Sequence, residues 1–407
     1  MEIGKKLEIL ADAAKYDASC ASSGANKSDS LSGKGVGSTG GAGICHSYAP
    51  DGRCISLLKL LLTNSCIYDC HYCINRRSSN VRRAVFTAEE VVKLTLDFYK
   101  RNYIEGLFLS SGIIRNADYT MEQVIAVART LREVHDFRGY IHLKTIPEAS
   151  PELIETAARY ADRISINIEL PTQESLDLLA PEKNMARTKV AMGRIRHKLE
   201  EAAEQKKDGD KKLRHATGQS TQIIVGADAS TDADFLARSD EMYRSYKMKR
   251  VYYSAFSPIP EPSSILPLKA PPLIREHRLY QADWLMRHYG FATGEILTPE
   301  APNLDLDLDP KLAWALRNRQ DFPVDIQKAP REILLRIPGL GVRNVDRILR
   351  IRRFTKIRLT DLVRLRVSLK KVEPFIITAD HNPSSYLLDS DRLRAKFAPK
   401  PQQLELF

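Results

Sequence analysis

Asn64-Ser65-Cys66-Ile67-Tyr68-Asp69-Cys70-His71-Tyr72-Cys73 is the stretch that decides the fold of this chain. Three of the six cysteines stand in it at the spacing C-x3-C-x2-C, and no fourth follows at ligand spacing. A structural zinc or an electron-transfer cluster normally takes four protein ligands. Three thiolates on one short loop suit a cubane iron–sulfur cluster whose remaining iron stays open, the logic that separates catalytic from structural zinc. Zinc is the competing reading of the same thiols, with His71 or His46 as the fourth ligand.

Working outward, residues 55–62 form an apolar run that leads into the cysteine loop. Helix and strand patterns then alternate to about residue 260. A helix is predicted over 87–101, with Thr87 as N-cap and Glu90 as its capping-box partner. Strands are expected at 106–109, 140–145, 163–170, 221–226 and 250–256. Helices are expected at 121–135, 151–160 and 232–246, with a long polar helical insertion over 172–216. Repeated strand–helix units imply parallel strands, and six of them curl into a partial (β/α)6 barrel. The site of such a barrel lies at the C-terminal ends of its strands, where the cysteine loop falls.

The 407 residues have room for two or three domains, and 43% of them are hydrophobic, as in a globular protein with a sizeable core. No run approaches the roughly 18 apolar residues of a membrane span, and the N-terminus is too charged for a signal peptide. The expected compartment is the cytoplasm, whose reducing poise leaves thiols free for metal. Residues 1–43 are expected to be a short helix followed by a flexible Gly/Ser-rich segment. That segment lacks the Gly-Lys-Ser/Thr ending of a phosphate loop. The barrel is expected over 44–260, a helix and proline-rich linker over 261–310, and a basic all-α domain over 311–407.

The net charge of +11 is concentrated in that last domain: residues 310–380 hold 17 Lys/Arg against 7 Asp/Glu. The run Arg76, Arg77, Arg82 and Arg83 is the other local surplus. The segment Ile337-Pro338-Gly339-Leu340-Gly341-Val342-Arg343 resembles the hairpin of a helix-hairpin-helix motif. Gly339 and Gly341 make the tight turn, and the second helix offers N-terminal amides to a phosphate. Arg343 and Arg347 add charge one helical turn apart. Residues 361–369 read as a second, degenerate copy. Contacts of this kind grip duplex DNA without reading its sequence; a protein-binding hairpin or a solvated basic face is the plainer alternative.

The cysteine spacing, Tyr72 before the last cysteine and the apolar run upstream resemble the radical S-adenosylmethionine (SAM) superfamily. The resemblance implies a [4Fe-4S] cluster on Cys66, Cys70 and Cys73, with SAM chelating the open iron. It implies cofactor contacts at Tyr72, at Ser110, Ser111 and Gly112, at Asn167 and Glu169, and at Gly226, which lets the adenine lie close; an ordinary strand-end residue is the plainer alternative for Glu169, and a simple turn glycine for Gly226. Ser110-Ser111-Gly112 departs from the family's Gly-Gly-Glu-like segment, because the glutamate is absent. Arg187 is either a cofactor-carboxylate contact or a surface arginine. Over nearly its full length the chain resembles a bacterial family of DNA modification or repair radical SAM proteins with a C-terminal helix-hairpin-helix domain. That resemblance implies DNA as partner, an electron donor such as flavodoxin or ferredoxin, and a uracil-DNA-glycosylase-like protein nearby. A radical SAM enzyme acting on RNA and a non-catalytic nucleic-acid-binding iron–sulfur protein are the alternatives. Cys20, Cys45 and Cys54 remain for an auxiliary cluster or as plain thiols.

Overall fold

Residues along a strand point alternately to opposite faces, and in the parallel strands of this chain one face is mainly apolar while the other mixes polar groups with a small apolar cluster of Ile55, Leu57 and Phe108. The computed structural model describes residues 1–14, 44–48, 54–208, 215–259, 262–383 and 392–398. They divide into two units, Met1–Ser230 with Glu241–Pro271 and Thr231–Asp240 with Pro272–Phe407. Cys20, the Gly/Ser-rich stretch and Asp51 to Arg53 lie outside the described residues.

The first unit carries a curled seven-stranded sheet in sequential order. Its strands are β1 (Ile44–Tyr48), β2 (Cys54–Leu61), β3 (Gly106–Ser110), β4 (Tyr140–Lys144), β5 (Arg163–Ser165), β6 (Gln219–Val225) and β7 (Arg250–Ala255). Strands β2 to β7 pair in parallel, and β1 adds an antiparallel edge that the sequence reading did not foresee. The unit's helices are α1 (Ile3–Ala14), α2 (Ala88–Lys100), α3 (Ala117–Arg129), α4 (Pro151–Tyr160), α5 (Gln173–Leu179), α6 (Met185–Lys207) and the C-terminal part of α7 (Asp232–Tyr246). Leu58, Leu60, Leu107, Leu109, Ile141, Leu143, Ile164 and Ile223 share the wholly buried face. At about 1.5–3 kcal/mol for each fully buried side chain, this layer is the main support of the sheet. The other face carries Lys59, His142, Ser165, Ser220 and Gln222, with His142 Nε2 3.1 Å from Ser165 Oγ.

The capping box at Thr87 is present as expected, with Thr87 Oγ1 accepting from Glu90 and the Thr87 amide donating back to Glu90. Three elements differ from expectation. The strand predicted over 163–170 leaves the ladder after Ser165. Thr221 Oγ1 takes the Ile168 amide, and Glu169 adopts a left-handed φ of 67°. The helix predicted to reach His135 widens into a π-turn at Thr130–Val134. Arg132 there turns inward to the carbonyls of Phe137, Gly139 and Tyr160 and to Asp162. The insertion over 172–216 contains two helices, α5 and α6, rather than one continuous element.

The second unit also contains α8 (Leu273–Tyr289), α9 (Thr293–Ile296), α10 (Pro310–Arg317), α11 (Arg331–Arg336), α12 (Val342–Ile351), α13 (Leu359–Arg364) and α14 (Leu369–Val372). It is not purely α-helical: β8 (Val324–Asp325) and β9 (Ile376–Ile377) form a two-stranded parallel ladder. Both are too short for a period-two pattern to show in sequence. Lys311 is buried among its apolar neighbours, donates to the Leu340 carbonyl at 2.7 Å and lies over the Tyr289 ring at 4.7 Å.

Candidate active site

The cysteine loop leaves the C-terminal end of β2, and its shape is fixed largely by Asn64 and Arg83. Asn64 donates from Nδ2 to the Arg82 carbonyl at 2.7 Å and accepts the Ala84 amide at 2.8 Å. The Arg83 guanidinium donates to the carbonyls of Asn64, Asn75, Arg76 and Ser79, so the loop closes around it. Arg76 is buried, with Nε on Ser78 Oγ at 3.2 Å. The four-arginine run is therefore not one basic surface. Arg76 and Arg83 turn inward, and Arg77 and Arg82 are exposed. Charge counting could not make this distinction, because an arginine that satisfies carbonyls reads like any other.

The C-terminal end of α5 and the turn after it press on the same loop. The His71 amide donates to the Leu179 carbonyl at 2.7 Å, and the Asp69 amide to Glu182 Oε1 at 3.1 Å. On the β3 side the Gly112 amide donates to the Thr63 carbonyl at 2.8 Å. A Cβ on Gly112 would lie 2.4 Å from the Ser65 carbonyl oxygen, so this position needs glycine. Ser111 Oγ bonds the Gly112 carbonyl at 2.6 Å. Ser110 is buried at the strand end, and its Oγ has no hydrogen-bond partner.

The Ile113 amide lies 3.4 Å from Cys66 Sγ, and the Asn75 amide 3.4 Å from Cys73 Sγ. Burial pushes the Cys70 thiol up to about 12, with the Lys183 ammonium pulling the other way, and burial also raises Cys73. Without metal the Cys70 and Cys73 thiols are neutral at physiological pH, so loading them must release protons. Among the described residues no three His, Cys, Asp or Glu side chains are grouped to hold a single metal ion. Thiolates of a cubane sit on different irons and need not converge on one point, and the amide–sulfur contacts are of the kind that favours thiolate. The donor set thus fits a cluster with three protein ligands.

Cys45 and Cys54 do not supplement it. Both lie toward the N-terminal end of β2, with Cys54 seven residues before the strand's last, about 23 Å away at the rise of a strand. Cys45 pairs with Leu57, three residues from Cys54, so the two side chains leave opposite faces.

A polar cluster stands beside the thiols. Lys183 Nζ pairs with Glu169 Oε1 at 2.6 Å, and Asn167 Nδ2 is 3.4 Å from Glu169 Oε2 and 3.3 Å from Gln222 Oε1. Burial acts to lower the Lys183 pKa, but the Glu169 carboxylate overrides it and holds the ammonium charged. Burial raises the Glu148 carboxyl against the opposing pull of Lys183, and neither of its oxygens has a hydrogen-bond partner. Burial also raises Tyr72 well above the usual tyrosine range, with Glu169 adding to it, and the Tyr72 hydroxyl is buried without a partner. Unsatisfied polar atoms are costly in a core, and their gathering here marks a place where a polar ligand completes the bonding.

The structure thus gathers Cys66, Cys70, Cys73, Tyr72, Ser110, Ser111, Gly112, Asn167 and Glu169 at the strand ends. Lys183 and Glu148 belong with them and were missed in sequence. Lys183 sits in a polar insertion, and Glu148 follows a proline as an ordinary loop residue would. At Gly226 φ is 77°, and a Cβ would lie 2.8 Å from Pro271, as the turn-glycine alternative expects. Its glycine character is accounted for by turn geometry and packing. Arg187 lines an apolar cleft between α4 and α6, and it acts electrostatically on Glu148.

In the second unit α11 and α12 flank the hairpin. Gly339 has φ 84°, and Gly341 is the N-cap of α12. Tyr289 stands against Gly341, its hydroxyl 3.6 Å from where a Cβ there would be. Arg343, Arg347 and Arg350 are exposed along α12. Between α13 and α14, Arg366 takes a left-handed φ of 59°.

Residues 60–235 match the model of the Radical SAM superfamily. Solved structures of low similarity include the FeFe-hydrogenase maturase HydG from Carboxydothermus hydrogenoformans, 15% identical over 56% of this chain and 50% of that one, with a TM-score of 0.42. Methylornithine synthase is 14% identical over 54% and 60%, with a TM-score of 0.41. The radical SAM methyltransferase TsrM from Kitasatospora setae is 14% identical over 48% and 35%, with a TM-score of 0.35. The chain covers 48% to 60% of the first three such structures. No curated protein matches it in sequence.

Proposed function

We propose that this chain, whose residues 60–235 match the model of the radical SAM superfamily, is a radical SAM enzyme that modifies or repairs nucleic acid, with DNA as the substrate. Proteins of the superfamily use a [4Fe-4S] cluster and SAM. Cys66, Cys70 and Cys73 would hold the cluster, with Tyr72, Ser110, Ser111, Gly112, Asn167, Glu169, Lys183 and Glu148 around the SAM. When bound, the two groups supply a 5′-deoxyadenosyl radical that takes a hydrogen atom from the substrate. The chain's own part is to fix geometry and exclude water. Arg83 holds the loop, the Glu169–Lys183 pair fixes charge beside the thiols, and the buried layer behind the sheet keeps the strand ends rigid.

The observation that carries the nucleic-acid reading is the exposed cationic row Arg343, Arg347 and Arg350 on α12, behind a hairpin whose turn requires glycine. Such a row neutralises a phosphate backbone without reading bases. A one-electron donor such as flavodoxin or ferredoxin, and a uracil-DNA-glycosylase-like protein, are the partners of this reading.

Reconstituted full-length protein, reductant and SAM incubated with duplex DNA, followed by digestion and mass analysis of nucleosides, tests it. The expected result is a DNA nucleoside of altered mass that depends on SAM. A product found with RNA and not with DNA would transfer the reading to RNA. SAM cleavage with neither nucleic acid altered would remove nucleic acid as the substrate.

A further inference from the structure

Phe354 is 89% exposed, the most exposed large apolar side chain among the described residues. It sits in the turn after α12, within Arg350-Ile351-Arg352-Arg353-Phe354-Thr355-Lys356-Ile357-Arg358. The turn has little freedom to fold the ring away. Arg352 donates to the carbonyls of Ile326 and Ala329 at 3.1 and 2.6 Å. The Phe354 and Thr355 amides both donate to Ile351 O, at 3.0 and 3.2 Å. Ile357, wholly buried, anchors the chain on the other side, and its carbonyl accepts the Ala379 amide at 2.9 Å. The protein thus displays an aromatic ring on a pinned turn, where nothing in its own core uses it.

A single exposed apolar residue commonly needs no explanation. This one is flanked by the exposed cations Arg350, Arg353, Lys356 and Arg358, with Arg343 and Arg347 further up the same helix. An aromatic face among cations is the arrangement that stacks a nucleobase while the charges hold the adjoining phosphates. An apolar protein partner would be repelled by so many cations that need hydration. We infer that Phe354 is a stacking wedge that meets a base of the bound DNA, where a bulge or mismatch leaves that base free to unstack. This rests on the nucleic-acid reading above and adds a preference to it: distorted duplex over perfect duplex. The ten residues of α12 place the turn about 15 Å from the hairpin, roughly four base-pair steps along one strand.

The test uses the full chain and two duplexes of the same sequence, one perfect and one carrying a single unpaired 2-aminopurine. Wild type should bind the bulged duplex more tightly and quench the 2-aminopurine. Phe354→Ala should bind the perfect duplex within about twofold of wild type, with an unchanged salt slope. It should lose about 5- to 150-fold on the bulged one, the range expected for one stacked base. Phe354→Trp should keep both the preference and the quenching. If Phe354→Ala discriminates as wild type does, or if wild type shows no preference, the wedge is overturned and the backbone-binding reading stands. If wild type binds neither duplex, the nucleic-acid reading fails and the wedge with it.

Discussion

Arg83 shows how one side chain sets the geometry of a site it does not enter. Four carbonyls of the cysteine loop converge on its guanidinium, a planar fork that lysine cannot imitate. Removing it leaves these acceptors without their donor, at a cost of about 1–3 kcal/mol for each one left buried. Arg83→Lys should lower iron content per chain after reconstitution and lower the thermal midpoint. Arg82→Ala, at an exposed neighbour, should change stability by less than about 0.5 kcal/mol. Equal iron content in the two variants would show that the loop keeps its shape without the clamp. The contrast also marks a limit of sequence reading: Cys66, Cys70 and Cys73 announce themselves by spacing, whereas Arg83 differs from Arg82 only in where its backbone points it.

At the scale of elements, the hairpin of the second unit rests on Lys311. Burial pushes this lysine down to about 7, with Asp309 opposing. The unfolded chain holds that proton up to about 10.5, so between these values folding releases it. Stability of the unit should therefore rise with pH from about 7 to 10, by up to about 1.4 kcal/mol per pH unit, and Lys311 should contribute no slope below 7. Both tryptophans, Trp284 and Trp314, lie in the second unit. Denaturant titration followed by tryptophan fluorescence therefore reports this unit alone. Lys311→Met should flatten the slope, and a slope that persists in that variant would assign the pH dependence to another group. Strands and helices with a full period were readable at this scale: β3, α4 and α7 match their sequence patterns closely. Strand β5 was readable only at its start: it begins at Arg163 as expected and ends at Ser165, beyond which a side chain, Thr221 Oγ1, takes the Ile168 amide in place of a ladder partner. Strands β8 and β9 have two residues each and no period to read.

For the whole molecule, the parallel order of β2 to β7 followed from alternating strand and helix patterns, and the cysteine loop fell at the strand ends that such a topology favours. The polar cluster of Glu148, Glu169 and Lys183 was only partly legible, since residues distant in sequence meet there by folding alone. Among the described residues, no helix is long and apolar enough to cross a membrane. In the proposed enzyme, three thiolates hold a cluster whose fourth iron takes SAM. Paramagnetic resonance of the reduced, reconstituted full chain, recorded with and without SAM, tests it most directly. A four-iron signal whose g-values shift on adding SAM, and which is lost in Cys70→Ala, is the predicted result; stoichiometric zinc, or a cluster signal indifferent to SAM, would contradict it.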